Sequence, residues 1–381
     1  MARERLASLA EGLLETPGSG GPALLSGLPG IALAHAALAG EDGGGAHAER
    51  ARAHLETAVA ASGGLRGDGG LARGIAGLAF ALELLEGDGG GEGEGDGDGD
   101  GDGDPNRAID EALADEVASD REIPAELMRG LAGRAVYARQ RLSRASGTAL
   151  HDAIVERLVA MAEPQPGGVA WRSAPDPRHA DRALCARYPD GWFDLGVAHG
   201  APAVIAALAG GGERAADTAR AGMSWMWHQR RTGGGPAFAA LAGEAPHEEP
   251  GWCYGDEGIG AVLFLAARTL GDQAWEARWL EVLEAAAARR APTLSLALCH
   301  GAAGLAHIDN SVYQATGASW ARDAAIDRLD QLLDRLPGEL DRLPPGLLDG
   351  QAGIALALIA ALGADEPAWD RALALSIARP G

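Results

Sequence analysis

Two cysteines and a histidine stand out because their types and spacing suit metal binding. The segment WCYGDEGIG begins at Trp252 and contains Cys253, and LCHGAAGL begins at Leu298 and contains Cys299 and His300. Each cysteine lies two residues before a glycine that is followed by a second glycine three residues later. Thiolate and imidazole groups are usual zinc ligands, and three of them leave the fourth position open, as in catalytic sites. We therefore predict one zinc ion per chain, bound by Cys253, Cys299 and His300.

The glycine step of these two segments recurs along the whole chain. Its first glycine occurs seven times, at Gly27, Gly74, Gly130, Gly200, Gly255, Gly301 and Gly350. The intervals range from 46 to 70 residues, and six copies keep the second glycine three residues on, whereas the fourth has Ala203. Such a period indicates an array in which each repeat is one supersecondary unit.

Each repeat contains two helical segments of different character. The segment directly after the glycine is apolar on nearly all sides, whereas the second is amphipathic, as in GDQAWEARWLEVLEAAAARR, which places Trp275, Trp279 and Val282 on one stripe. This pattern predicts an all-α fold of seven helical hairpins, with Gly-x-x-Gly at the start of each inner helix. The end repeats are no more polar than the middle ones, which favours a closed α/α toroid over an open solenoid with polar caps.

Repeat phase predicts which side chains meet in such a ring. Cys253 and Cys299 occupy the same position in neighbouring repeats, and His300 directly precedes its glycine, as His199 and Tyr254 precede theirs. A ring brings all five side chains to one rim. Taken singly, each cysteine or histidine is more simply explained as a core residue, but three candidates in matching positions favour zinc.

Two segments interrupt the repeats. GDGGGEGEGDGDGDGDGDP, residues 87–105, contains no apolar residue and predicts a disordered, solvated loop. Calcium binding is disfavoured there because no apolar positions would lock the loop. Residues 163–194, rich in Pro, Arg and Trp, are predicted to form an irregular insert over one mouth of the ring. Otherwise we expect a single domain over residues 1–381.

The overall composition limits the classes of function. The chain has 381 residues, 47% of them hydrophobic, which is enough for a large core. Its formal net charge of −22 and the absence of a basic cluster argue against binding to nucleic acid or anionic membranes. Neither a secretory signal nor a membrane-spanning stretch is apparent, so we expect a cytoplasmic protein with reduced cysteines. Cys185 is out of phase with the repeats and is interpreted as a packing or surface residue.

The quoted segments resemble a known family. WCYGDEGIG, LCHGAAGL and LGVAHGAPA, with the recurring Gly-x-x-Gly, are similar to the lanthionine synthetase C-like family of lantibiotic cyclases, over essentially the whole chain. The resemblance implies an α/α toroid with zinc in its central cavity, held by Cys253, Cys299 and His300. It also implies cyclisation of a dehydrated precursor peptide, in which cysteine thiols add to dehydroalanine or dehydrobutyrine to form lanthionine or methyllanthionine. A dehydratase and a transporter are further expected partners.

The resemblance also implies roles for residues outside the ligand set. His199 matches the acid/base histidine of the family, which would protonate the α-carbon after thiol addition. Tyr254 matches a tyrosine that donates to or orients the reacting amide, with a packed cavity-wall aromatic as the alternative. The family commonly has an aspartate where this chain has Glu126 and an arginine where it has Glu249. We assign Glu126 to the catalytic group, and Glu249 reverses a charge at the cavity edge.

The position before each first glycine suggests further cavity residues. Apart from the site residues above, this position holds Ser26, Arg73, Arg129 and Asp349. Cations are disfavoured at helix N-termini, so arginines there in two successive repeats suggest a use. We predict that Arg73, Arg129, Asp349 and Glu249 contact the substrate; two solvated arginines are the alternative.

Three other functions are compatible with parts of the pattern. A related enzyme would add glutathione to dehydroamino acids, as the eukaryotic members are thought to do, and a non-catalytic scaffold would bind peptides beside a structural zinc. The scaffold is disfavoured because His199 is in phase with the ligands and a scaffold needs no acid/base. Protein prenyltransferases also combine an α/α barrel with zinc, but their ligand set includes an aspartate in a D-x-C pair that this sequence lacks.

Overall fold

Helices form wherever the repeats predict them. The computed structural model describes residues 2–14, 20–42, 45–65, 67–86, 104–178, 181–363 and 366–376. The helices are α1 (Ala2–Leu13), α2 (Leu28–Asp42), α3 (Gly45–Ala60), α4 (Ile75–Glu86), α5 (Arg107–Ala118), α6 (Leu131–Gln140), α7 (Ala145–Ala160), α8 (Arg182–Arg187), α9 (Ala201–Ala209), α10 (Glu213–Gln229), α11 (Asp256–Thr269), α12 (Gln273–Arg289), α13 (Ala302–Thr316), α14 (Ser319–Glu339) and α15 (Gln351–Leu362). Short 3₁₀ turns cover Ser62–Leu65, Leu340–Arg342 and Ala368–Leu373.

Seven of these helices form an inner layer. They are α2, α4, α6, α9, α11, α13 and α15, and each begins at the residue after the first glycine of its repeat. Their Ala, Leu and Ile side chains are buried on almost all sides; in α9, every residue is buried. Outer helices α3, α5, α7, α10, α12 and α14 contact the inner helix that precedes each of them, and α1 packs against α15. The seventh hairpin therefore combines both ends of the chain.

The inner helices form a closed ring. Each inner helix contacts the next one along the chain, and the last, α15, contacts the first, α2. The predicted α/α toroid is confirmed. Closure also explains why the end repeats need no polar caps, since neither has an exposed end face.

Backbone hydrogen bonds join the loops that precede the first glycines into a circle that, in the described residues, is interrupted between repeats three and four. The Leu25 N–H donates to the Ala72 carbonyl and the Ala72 N–H to the Met128 carbonyl. Val197 donates to Cys253, Leu298 and Cys299 donate to Leu348, and Leu348 donates back to Leu25. Trp252 and Cys253 both donate to Cys299. These bonds fix the two loops that carry Cys253 and Cys299 against each other.

The second glycine of each pair is required by close packing. A Cβ at Gly353 would lie 1.9 Å from the Leu347 carbonyl oxygen and 2.7 Å from Cδ1 of Leu298 in the neighbouring repeat. A Cβ at Gly77 would similarly meet the Leu71 carbonyl oxygen at 2.0 Å. Since real Cβ atoms never approach a carbonyl so closely, glycine lets each loop fold back on its helix and admits the neighbouring leucine.

The insert between repeats three and four contains little regular structure. Strands β1 (Glu163–Gln165) and β2 (Gly168–Ala170) form an antiparallel hairpin in which Pro164 is opposite Val169. Helix α8 follows, and its Cys185 is buried with Trp192 and Leu241 in a small apolar cluster separate from the main core. The insert thus packs on the loop between α10 and α11.

The predicted acidic loop lies mostly outside the described residues, which resume at Asp104. The prediction of a solvated loop is wrong at Asp104, because the side chain of this residue is almost completely buried. Its carboxylate accepts a hydrogen bond from the buried guanidinium of Arg141, which also binds Asp110 and Glu83. A buried arginine recruits carboxylates because an unpaired buried cation is costly. No helix in the described part of the chain is long and apolar enough to cross a membrane.

Candidate metal centre

Cys253, Cys299 and His300 meet at the rim formed by the pre-glycine loops. One ligand atom from each residue lies within 4.8 Å of those of the other two, and no other group of three such side chains in the described ranges does so. Both cysteines are free and partly buried. The three residues can therefore hold a metal ion, and their thiolate and imidazole donors match the ligand types that zinc prefers.

The electrostatics of this triad also fit a cation. A hydrogen bond with the Cys299 thiol lowers the pKa of Cys253, and His300 acts in the same direction. The same contact raises the pKa of Cys299, and the Cys253 thiolate raises that of His300. Two adjacent thiolates repel each other, so ionisation of Cys253 disfavours ionisation of Cys299. A divalent cation would allow both to be thiolates, as metal ligation requires.

Glu126 and His199 form a second functional pair on the same rim. His199 Nδ1 lies 2.8 Å from Glu126 Oε2, and the Glu126 carboxylate is almost completely buried. Partial burial alone lowers the pKa of His199, but the hydrogen bond and charge of Glu126, with the charge of Asp194, raise it above its usual value. Because Nδ1 is bound to Glu126, the exposed part of the ring offers Nε2 for proton transfer.

Glu126 also occupies a break in the circle of backbone hydrogen bonds. Within the described residues, no backbone hydrogen bond joins the pre-glycine loops of repeats three and four. The Glu126 carboxylate instead accepts the N–H groups of Met128 and Arg129, at 2.9 and 2.8 Å, and contacts His199 across the gap. The carboxylate thus replaces a main-chain acceptor and fixes the histidine of the next repeat at the same time.

Tyr254 is held by Asp194. Its hydroxyl donates a 2.9 Å hydrogen bond to Asp194 Oδ2, while the N–H of Gly196 donates to Oδ1. Burial raises the pKa of Asp194 to about 7, although Gly196, His199 and Tyr254 oppose the shift. Burial and Asp194 raise the pKa of Tyr254, so this tyrosine stays protonated.

Comparison with known proteins identifies the family. A model of the lanthionine synthetase C-like protein family matches residues 18–374. The chain belongs to this family. Its structure is similar to that of nisin cyclase, with a TM-score of 0.73 and 20% sequence identity over 98% of this chain and 96% of that one. No curated protein is significantly similar to this chain in sequence.

In this lanthionine synthetase C-like chain, the remaining predicted site residues lie around the same rim with opposite charges on its two sides. Arg129 is half-buried, with Nε 3.6 Å from Glu126 Oε1, and Arg73 in the preceding repeat is exposed. Asp349 and Glu249 are exposed, and the charges of both raise the pKa of His300. The acidic residues therefore lie near the triad, and Arg129 lies beside the Glu126–His199 pair.

Asp194 was not predicted, although a signal for it exists. It lies six residues before Gly200, and Asp68 and Ser295 occupy the same position in repeats two and six. In all three loops the side-chain oxygen accepts the N–H two residues later, at 2.9 to 3.0 Å. The recurrence of short polar residues at this phase indicates a turn, and only in repeat four does the turn residue also bind a site tyrosine.

The position of His247 beside the site was also not predicted, and no pattern in the surrounding sequence indicates it. Its ring centroid lies 5.8 Å from that of Tyr254, and its charge helps to lower the pKa of Cys253. The residue belongs to the irregular loop between α10 and α11, outside the repeat phase. This loop is anchored by Asp256, whose carboxylate accepts the N–H groups of Ala237 and Phe238 and binds Arg289.

Proposed function

We propose that this protein is a zinc-dependent peptide cyclase that adds cysteine thiols to dehydroalanine or dehydrobutyrine of a dehydrated precursor peptide. The observation that carries the proposal is the convergence of Cys253, Cys299 and His300 beside the Glu126–His199 pair on one rim. A metal-ligand triad alone would fit a structural zinc. A histidine whose pKa is raised and whose orientation is fixed adds the proton donor that a thiol addition needs.

Cys253, Cys299 and His300 would hold the zinc ion and leave one coordination position open. When bound, zinc would lower the pKa of an incoming peptide thiol, so that the thiolate is available at neutral pH. The reaction forms a bond between the sulfur and the β-carbon of the dehydroamino acid and adds a proton to its α-carbon. The three protein ligands thus act on the thiol, and the rest of the rim acts on the acceptor residue.

His199 is proposed to deliver the proton to the α-carbon. Glu126 accepts from Nδ1, which keeps the proton on Nε2 available for transfer and raises the pKa of the imidazolium. The Tyr254 O–H donates to Asp194, so the tyrosine oxygen is free to accept a hydrogen bond from a peptide N–H. Arg129 and Arg73 are proposed to bind peptide carbonyls, and Asp349 and Glu249 to contact the peptide near the zinc ion.

The family and the fold leave the thiol donor open. A glutathione thiol could enter in place of a peptide cysteine, since the chemistry at the dehydroamino acid is the same. We favour intramolecular cyclisation because the rim is acidic beside the triad, where Glu249 and Asp349 would repel the carboxylates of glutathione. A dehydratase and a transporter are the expected partners of such a cyclase.

Metal analysis and one peptide test the proposal together. Purified protein should contain one zinc per chain, and Cys253→Ala and Cys299→Ala should lose it while Cys185→Ala, in the small cluster beneath α8, keeps it.

A peptide with one dehydroalanine and one cysteine should lose its free thiol without a mass change. His199→Ala should retain zinc and cyclise about 10²- to 10⁴-fold more slowly. Zinc retained in both cysteine variants, or cyclisation at the wild-type rate in His199→Ala, would contradict the proposal.

A further inference from the structure

The residue before the first zinc ligand departs from the repeat pattern. Three residues before the first glycine, six repeats have an aliphatic side chain, and the fifth has Trp252. The aliphatic residues are Leu24, Leu71, Leu127, Val197, Leu298 and Leu347. All seven are buried, so tryptophan is not needed for burial at this position. Its indole has a hydrogen-bond donor that the aliphatic residues lack.

The indole donor of Trp252 binds the C-terminal segment. Trp252 Nε1 donates a 2.8 Å hydrogen bond to the carbonyl oxygen of Leu373, and the Trp252 side chain is completely buried. Leu373 ends the 3₁₀ turn Ala368–Leu373, in which Trp369, Asp370 and Leu373 are also buried. The turn is therefore largely buried, although the Arg371 side chain is exposed.

The contacts of this turn place it across the ring, between helices of distant repeats. Asp370 Oδ2 lies 3.1 Å from Nε2 of His307 on α13, and the centroid of the Trp369 ring lies 4.7 Å from that of the His307 ring. Arg371 donates to the Gln140 side-chain oxygen on α6. Helices α6 and α13 belong to repeats three and six, which are three steps apart, the largest separation in a ring of seven. A turn of six residues can reach both only from within the ring or across its end.

We infer that the C-terminal segment 366–375 supports the metal centre and that Trp252 transmits this support to Cys253. The inference rests on the proposed zinc site. The backbone of Trp252 and Cys253 is held on one side by the Cys299 carbonyl, at 2.8 and 3.2 Å. The indole is held on the other side by Leu373. Trp252 is therefore a positioning residue, acting through the ligand beside it in the chain.

A positioning role has a consequence for zinc affinity. Groups that orient metal ligands typically change metal affinity by about 10- to 100-fold when they are removed. Trp252→Phe keeps an aromatic ring in the buried site but removes the N–H that binds Leu373. We expect its zinc dissociation constant to rise about tenfold. Cyclisation should fall at limiting zinc and recover when zinc is in excess.

The chain offers a matched control. Trp171 is also buried, and its Nε1 donates a 2.8 Å hydrogen bond to the Leu158 carbonyl at the end of α7, in the outer layer. Trp171→Phe therefore makes the same chemical change at the same depth, away from the triad. Both variants should lose similar thermal stability, measured by circular dichroism. Zinc affinity, measured by competition with a chromophoric chelator, should weaken only in Trp252→Phe.

A second variant tests the segment itself. Deletion of residues 366–381 removes Leu373, and in the deleted protein Trp252→Phe should weaken zinc binding no further. If the deletion prevents folding, the two tryptophan variants still decide the question. Tight zinc binding in the wild type with equal affinities in Trp252→Phe and Trp171→Phe would overturn the inference alone. A wild-type protein that does not bind zinc would overturn the proposed function and this inference with it.

Discussion

Glu126 shows how one side chain serves both the fold and the proposed chemistry. Its carboxylate accepts two backbone N–H groups where the circle of loop hydrogen bonds is interrupted, and it binds His199 of the next repeat. The two backbone donors and the histidine therefore all depend on the position of this one carboxylate. An acceptor fixed by main-chain donors cannot easily rotate away from the imidazole.

Glu126→Gln should shift the pH dependence of cyclisation. The charge of Glu126 raises the pKa of His199, so the neutral amide should lower it. An acid catalyst is active below its pKa, and the loss of rate at high pH should therefore begin at a lower pH in the variant. The measurement is kcat/KM against pH at constant zinc. A profile that is scaled down without moving would mean that Glu126 has a structural role only.

At the scale of elements, the second glycine of each repeat sets how closely a loop and a helix can pack. Gly353→Ala should destabilise the protein by about 1–3 kcal/mol, because the new Cβ would collide with the Leu347 carbonyl and with Leu298. Gly40→Ala is the matched control, since Gly40 is also in an inner helix and nothing lies within 4 Å of its Cβ position. The control should be neutral or slightly stabilising. Urea unfolding of both variants tests this expectation, and equal stabilities would contradict it.

The hairpin of α2 and α3 contains a group of histidines that should make stability depend on pH. His35 is buried with its Nδ1 2.9 Å from Nδ1 of His47, and its ring stacks on that of His54 at 5.4 Å. Burial lowers the pKa of His35 from 6.5 to about 4, and His54, His47 and Arg50 add to the shift. Between pH 4 and pH 6.5, His35 binds more protons in the unfolded chain than in the folded one. The folded protein is therefore most stable with respect to His35 above about pH 6.5, and this stability is lost as the pH falls toward 4.

This linkage predicts a measurable difference between wild type and His35→Leu. When the pH is lowered from 7.5 to 5, protonation of His35 in the unfolded chain should lower the free energy of unfolding of the wild type by about 2 kcal/mol. The variant should not show this decrease. Urea unfolding at the two pH values gives the difference. Equal pH dependence in the two proteins would show that His35 is not the titrating group. The exposed His228, replaced in the same way, controls for a general effect of removing a histidine.

At the scale of the whole molecule, the acidic tract is expected to be dispensable. Residues 91–102 contain only Gly, Asp and Glu, and shortening a loop changes its closure entropy only slightly. Replacing Gly91–Asp102 by a short Gly-Ser link should leave the melting temperature and cyclisation nearly unchanged. Asp104 must be retained, because it binds Arg141. A large loss of activity with unchanged stability would instead indicate that the tract binds the peptide or a partner protein.

The fold and the zinc-site candidates could be predicted from the amino-acid sequence, because both depend on repeat phase. An apolar segment after each glycine and an amphipathic one before the next are sufficient for seven hairpins, and a ring then brings equal positions to one rim. Cys253, Cys299 and His300 could be predicted to meet for this reason. The family resemblance added roles for His199 and Tyr254, which the repeat phase placed on the same rim.

The partners that complete these groups could not be predicted and are seen in the folded chain. His247 and Leu373 lie outside the repeat phase, in an irregular loop and in the C-terminal segment. The repeat position of Asp194 indicates its turn but not its contact with Tyr254. Such contacts depend on three-dimensional packing, which periodicity cannot encode. The same holds for Asp104. Composition predicted that it lies in a solvated loop, but its carboxylate pairs with the buried Arg141. Local pattern determines where a helix begins, whereas buried charges and donors find partners that are distant in sequence.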